Sequence, residues 1–114
     1  MPKMTIIVTT REGEIHPRNI SDAWSTLQCM LTSELRKYDP AIHEHHLHLE
    51  RGAVRAGDHL PVDGYENANL LMTIVAPGND KLAANVETIV DSIQLMLRGW
   101  LSPAQGIFAR LVVA

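Results

Sequence analysis

The chain has 114 residues and a formal net charge of -3, and hydrophobic side chains make up 46% of it. This length and composition predict one domain, residues 1–114, around one apolar core. The negative charge and the absence of a Lys/Arg run argue against nucleic acid as a partner. No apolar run reaches the about 18 residues of a membrane span, and the one cysteine excludes an intrachain disulfide. We therefore expect a cytoplasmic protein that does not bind membranes.

The amino-terminal half predicts a strand, a helix and a second strand. Residues 4–10 alternate along the chain and are rich in β-branched side chains, which indicates a strand. Ser21 is a suitable N-cap for a helix whose apolar residues recur at helical spacing. Because the residue before a proline avoids the helical region, this helix should end before Pro40. Residues 42–50 predict the second strand.

The carboxyl-terminal half predicts a strand, a helix and a strand. A polar connection over residues 51–67 is longer than is usual in a compact domain. Residues 68–75 form a buried third strand, and the segment 77–80 breaks the chain and caps a second helix, which ends at Ser102-Pro103. Residues 106–113 form the fourth strand.

The predicted order is therefore β-α-β-β-α-β, an α+β fold. Each βαβ unit requires a right-handed crossover. Two such units place both helices on one face of a four-stranded sheet.

The start of the chain offers a chemical group, because Pro2 directly follows the initiator methionine. If Met1 is removed, the terminus becomes a secondary amine attached to the first strand. Free α-amino groups titrate at about pH 7.7–8.0, and an apolar pocket lowers that value. Such an amine is suited to general base catalysis near neutrality. The structural alternative is that proline is simply tolerated ahead of a strand.

Several features together resemble the tautomerase superfamily, which includes 4-oxalocrotonate tautomerase, macrophage migration inhibitory factor (MIF) and the haloacrylic acid dehalogenases. They are the element order and three local segments, namely Met1-Pro2 before an apolar strand, Glu50-Arg51-Gly52 after the second strand, and Leu101-Ser102-Pro103 before the fourth. The resemblance implies a homotrimer with Pro2 at the floor of a pocket near a subunit boundary. It implies a tautomerase that moves a proton on small keto-enol acids, such as 2-hydroxydienoates or 2-keto acids, without a cofactor.

The resemblance also implies cations that hold the substrate carboxylate, since a cation both binds the acid and stabilises the enolate. Lys3, Arg11 and Lys81 are the candidates. Lys3, beside Pro2, and Arg11, at the end of the first strand, could equally be solvated charges. Because only Lys81 lies near the segment where the dehalogenases carry arginines, halide displacement and decarboxylation lose support.

The start of the fourth strand is expected to line the pocket. Where relatives place polar or aromatic side chains, this chain has Ile107 and Ala109. The resemblance therefore implies a pocket that is more apolar than usual.

Histidines dominate the predicted second strand, in the segment His43-Glu44-His45-His46-Leu47-His48. Because side chains alternate along a strand, His46 and His48 would share one face, and histidines two residues apart can bind one metal ion. We assign no metal site, with His46 and His48 as the candidates if one exists. The alternative function is a ferredoxin-like binding or regulatory module without catalysis. A solvated or subunit-facing histidine strand that titrates near pH 5–8 is the simpler expectation.

Overall fold

The structure, a computed structural model, describes residues 3–13, 17–101 and 106–114, without the side chains of residues 17–23. Its elements follow the predicted order, with an additional helical turn before the second strand and a break in the second helix. They are β1 (Met4–Arg11), α1 (Pro17–Arg36), a 3-10 turn (Glu44–His46), β2 (Leu47–Val54), β3 (Leu70–Ala76), α2 (Asp80–Ala84), α3 (Val86–Trp100) and β4 (Ile107–Val113).

The four strands form one mixed sheet in the order β2-β1-β3-β4. β1 runs parallel to β2 and antiparallel to β3, and β3 runs parallel to β4. The two parallel pairs are the two βαβ units, and they meet at the antiparallel β1/β3 pair in the centre. The predicted α+β class and four-stranded sheet are confirmed.

The strand directions give the sheet two ends that matter for the site. Met4 pairs with Leu47, so β1 and β2 start at the same end, where β3 and β4 finish. We call this the Lys3 end, because Lys3 immediately precedes β1. The other end, where β1 finishes and β3 and β4 start, we call the Arg11 end.

Both long helices pack on the same face of the sheet, as predicted. Their apolar stripes recur every three or four residues, so that one side of each helix is continuously apolar. The stripes join the inward-facing strand residues in one buried cluster. Its helical members are Leu27, Leu31 and Leu35 of α1, Leu82 of α2, and Ile89, Ile93 and Leu97 of α3.

The connection between β2 and β3 covers part of the opposite face of the sheet. Leu60 and Ala68 of the connection are buried against Leu71, which points away from the helices. The Tyr65 ring meets the Phe108 ring edge-on, with centroids 5.9 Å apart. The segment predicted to be a polar connection therefore contains a small apolar cluster of its own.

The prediction of one histidine strand over residues 42–50 is wrong. The segment Glu44–His46 forms a 3-10 turn, and β2 begins only at Leu47 and continues to Val54. The His43 N–H donates to Nδ1 of His46 over 3.0 Å, and a local side-chain bond of this kind competes with strand pairing. As a result His46 is buried and His48 is exposed. The shared face predicted for these two side chains does not form.

Both predicted helices also differ at one point. α1 begins at Pro17 and not after Ser21, because proline suits the first turn of a helix, where its missing N–H is not needed. The second helix is divided at Asn85, which has a non-helical φ of -123° and ψ of 21°. Its side chain donates to the Lys81 carbonyl over 2.7 Å, which satisfies that carbonyl and ends the first segment.

Candidate functional site

Pro2 itself lies outside the described residues, but the strand that follows it is well defined. β1 starts at Met4, two residues after Pro2, and it is a central strand between β2 and β3. Lys3 is exposed at this end of the sheet. At this end β1 therefore has a neighbouring strand on each side.

The loop after β3 brings a second lysine to the Lys3 end. Asn79 caps α2, since its Oδ1 accepts hydrogen bonds from the backbone N–H groups of Lys81 at 2.9 Å and Leu82 at 3.0 Å. Its Nδ2 donates to Oδ2 of Asp39 over 3.0 Å, which ties this loop to the segment that follows α1. Lys81 is thereby held on the first turn of α2 with its side chain exposed.

Arg11 lies at the opposite end of the sheet from Lys3. Eight residue steps along an extended chain separate the two by about 26 Å. The Arg11 Nη2 donates to Oδ1 of Asn69 over 2.6 Å and to the Asn67 carbonyl over 3.3 Å. Its Nε is enclosed and has no partner within the described residues. In one subunit Arg11 fastens β1 to the segment before β3, and it cannot reach a group beside Lys3.

Ile107 and Ala109 belong to the core. They are 0% and 1% exposed, and they face the helices. The side chain of Arg98 donates to the Ile107 carbonyl over 3.0 and 3.2 Å, and the Ala109 N–H donates to Oε1 of Gln94 over 3.1 Å. Side chains of α3 thus occupy the outer edge of β4. Within one subunit Ile107 lies at the Arg11 end, away from Lys3.

The histidine segment reaches the Lys3 end by a route that the sequence did not indicate. The His46 ring packs against the rings of His45 and His43, with centroids 4.1 and 5.7 Å away. His48 is on β2, where its Nε2 lies 3.9 Å from Oε1 of Glu50. Across the described ranges, no three His, Cys, Asp or Glu side chains converge as a metal site would require.

A cavity of about 660 Å³ lies between α1 and the 3-10 turn. Cys29, Arg36, His43 and Glu44 are among its lining residues. Cys29 is exposed and does not belong to the core. Its hydrogen bond with the Glu44 carboxylate, together with the charge of that group, raises the pKa of the thiol. A thiol in this state is a poor nucleophile at neutral pH.

The predicted site residues therefore fall into two groups. Lys3 and Lys81 lie at the Lys3 end, whereas Arg11 and Ile107 lie at the other. A single subunit does not bring the two groups together. His46, which the sequence analysis considered as a metal ligand or as part of a solvated or subunit-facing strand, is at the Lys3 end too. The spacing of three residues between His43 and His46, which is typical of a helical turn, was the signal in the sequence that could have indicated this turn.

No family model matches the chain, and no curated protein matches it by sequence. Solved structures do match. N1, a member of the cis-3-chloroacrylic acid dehalogenase family, is 15% identical, with a TM-score of 0.59 over 96% of this chain and 74% of its own. The MIF-like protein from Entamoeba histolytica is 10% identical, with a TM-score of 0.55 over 99% and 88%. A fused 4-oxalocrotonate tautomerase (4-OT), a symmetric trimer, is 15% identical, with a TM-score of 0.56 over 96% and 83%.

The chain has the tautomerase/MIF fold. The matches extend over nearly the whole chain, and their low identity means that they establish this architecture and not an activity. None of the described helices is long and apolar enough to cross a membrane.

Proposed function

We propose that this protein is a tautomerase whose catalytic base is the amine of Pro2, freed by removal of Met1. The observation that carries the proposal is the position of Pro2 in the sequence, two residues before a central strand of the tautomerase/MIF fold. The substrates would be small keto-enol acids, and the reaction would move a proton between oxygen and carbon without a cofactor. The amine takes the proton from one position and returns it to the other.

The charges at the Lys3 end support a carboxylate substrate. Lys3 and Lys81 are both exposed there, and an ammonium group binds a carboxylate as a mobile point charge. In this proposal they hold the acid while Pro2 acts on the neighbouring carbon. Arg11 contributes only if a neighbouring subunit brings its Arg11 end to this site, whereas the side chains of Ile107 and Ala109 are buried in the core and take no part in it.

We propose that such neighbours exist, in a homotrimer. Apolar side chains remain on the sheet face that points away from the helices. Ile7 and Val75 are half-buried there, and Val112 is 43% exposed. A face of this kind is commonly covered by assembly. Sedimentation analysis should give three times the mass of one chain, and Val112→Lys should shift the distribution towards monomer.

The activity is tested with phenylenolpyruvate and 2-hydroxymuconate, following ketonisation by absorbance. Intact mass first establishes that Met1 is absent. We expect turnover with at least one of the two acids, and a large loss in Pro2→Ala, which keeps a free amine but lacks the ring.

The matched control is wild-type protein produced with methionine aminopeptidase inhibited. It has the same fold and keeps the proline ring, but an amide at the ring nitrogen has no basicity. Equal rates in the trimmed and untrimmed forms would remove Pro2 from the mechanism.

A further inference from the structure

His46 carries a polar atom that the fold leaves without an explanation. The residue is 7% exposed, and its Nε2 has no hydrogen-bond partner in the part of the chain that the structure describes. Buried polar atoms are paired in the large majority of cases, because an unpaired one is costly. An unpaired ring nitrogen at one end of the sheet therefore suggests a partner that binds there.

The other ring nitrogen determines what Nε2 can do. The backbone N–H of His43 donates to Nδ1 of His46 over 3.0 Å, so Nδ1 is the acceptor and the proton of the neutral ring is on Nε2. Burial, followed by the charges of His45 and His43, lowers the pKa of His46. At neutral pH the ring is uncharged, and Nε2 is a hydrogen-bond donor.

Chain connectivity puts this donor close to the proposed base. His46 immediately precedes Leu47, which is the register partner of Met4 on the adjacent strand, and paired strands are about 4.8 Å apart. A chain extends by at most about 3.6 Å per residue, so Pro2 is within about 7 Å of the Met4 Cα. One small acid can therefore contact both groups.

We propose that His46 Nε2–H is the donor that binds the keto oxygen of the substrate while Pro2 moves the proton. The proposal rests on the function proposed above. The prolyl nitrogen takes a proton from the carbon beside the carbonyl, the C–H electron pair becomes the carbon–carbon double bond, and the carbonyl pair moves to oxygen. His46 keeps its own proton and stabilises the enolate oxygen.

The neutrality of His46 explains why it would take this oxygen and not the carboxylate. The carboxylate carries a full charge in the ground state, and Lys3 and Lys81 suit it. The keto oxygen becomes negative only as the proton leaves, and a neutral imidazole N–H is known as a means of polarising such a carbonyl. A contact that strengthens as the oxygen becomes negative raises kcat more than it lowers KM.

The kinetic test compares His46→Leu, which removes the donor, with His48→Leu as the matched control. His48 lies two residues further along, near the start of β2, but its side chain is 62% exposed. We expect His46→Leu to lower kcat by about 100-fold or more with little change in KM, and His48→Leu to stay within about threefold of wild type. His46→Gln, whose amide can donate, should recover part of the loss.

A second measurement does not require turnover or a variant that folds. Phenylglyoxylate has a keto oxygen beside its carboxylate but no hydrogen that can enolise, and phenylacetate lacks the keto oxygen. In trimmed wild-type protein labelled with 15N-histidine, phenylglyoxylate should shift the His46 Nε2 resonance, and phenylacetate should not.

The two measurements separate the inference from the function on which it rests. A shift with phenylglyoxylate in a protein that turns over neither acid supports the donor role and overturns the tautomerase. Turnover without the shift, or with a folded His46→Leu variant within threefold of wild type, overturns the donor role and leaves the tautomerase standing. If the protein shows neither turnover nor the shift, both the donor role and the tautomerase are overturned.

Discussion

The side chain of Asn79 joins three parts of the Lys3 end, and its removal should destabilise the protein by a predictable amount. Oδ1 accepts two backbone hydrogen bonds in the first turn of α2, and Nδ2 donates one to Asp39. Replacing an N-cap residue by alanine costs about 1 kcal/mol. A hydrogen bond to a partly exposed carboxylate adds about 1 kcal/mol. Asn79→Ala should therefore lower the free energy of unfolding by about 2 kcal/mol.

The matched variant exchanges the two side chains. In Asp39→Asn/Asn79→Asp the carboxylate introduced at position 79 still caps α2, and the amide introduced at position 39 supplies the donor in the other direction. The side-chain oxygen at position 39 continues to accept the Ala41 N–H, as Asp39 does over 3.1 Å. We expect the exchange to restore stability to within about 0.5 kcal/mol of wild type. Asn79→Asp alone should be less stable, because two carboxylates then face each other.

Urea unfolding measures these differences. All variants are compared at one protein concentration, because an oligomer gains stability with concentration. The midpoint should fall in Asn79→Ala without a change in slope. In a thermal scan, about 2 kcal/mol corresponds to a Tm lowered by about 8 °C for a chain of this length. An Asn79→Ala variant within about 0.5 kcal/mol of wild type would refute the reasoning, and so would an exchange variant no better than Asn79→Asp.

Three further predictions concern the core, a turn and acid stability. Leu31→Ala should cost about 2–5 kcal/mol in urea unfolding, because Leu31 is 0% exposed and its removal leaves a cavity; a smaller loss would mean that the core collapses around the site. Gly106 has a φ of +69°, and an added Cβ would lie 2.8 Å from an amide nitrogen, so Gly106→Ala should destabilise by about 1–3 kcal/mol. The control is Gly99→Ala, within α3 and without a close neighbour, which should stabilise the protein by about 0.5–1 kcal/mol. If both glycine variants changed stability equally, backbone conformation would be excluded as the cause of the loss in Gly106→Ala. The hydrogen bond from Lys37 lowers the pKa of Glu34. Glu34 therefore contributes stability that is fully present above its ordinary pKa and is lost as the pH falls through the lowered pKa. Glu34→Gln should flatten the dependence of the unfolding free energy on pH in that range, and an unchanged dependence would contradict this.

The periodic segments of the chain could be interpreted from the sequence. In β1 the side chains of Met4, Ile6 and Val8 are buried, whereas those of Thr5 and Ile7 are only half-buried. This alternation is visible in the sequence, because a strand side chain faces the same side as the one two residues away. The helix stripes and the Asn79 cap follow from equally local rules. The element order depended on nothing else, and the resemblance to the tautomerase fold added only the start Met1-Pro2 and two other short segments.

Alternation and helical spacing failed where a side chain forms a hydrogen bond with the backbone three or four residues away. His43 and His46 suit a strand by alternation, yet the hydrogen bond between them forms a turn, and burial lowers the pKa of His46. Asn85 interrupts an otherwise helical stripe for a comparable reason.

The separation of Lys3 from Arg11 follows from the length of one strand. The sequence presents both as candidate cations on one strand, but an extended strand keeps them about 26 Å apart. Only the arrangement of the strands shows that His46 and Lys81 are the groups at the Lys3 end. The sequence by itself determined which segments are strands and helices and which faces they bury, since those patterns repeat within a few residues. The surroundings of the proposed base were decided by strand pairing and packing, since these bring together residues that are tens of positions apart.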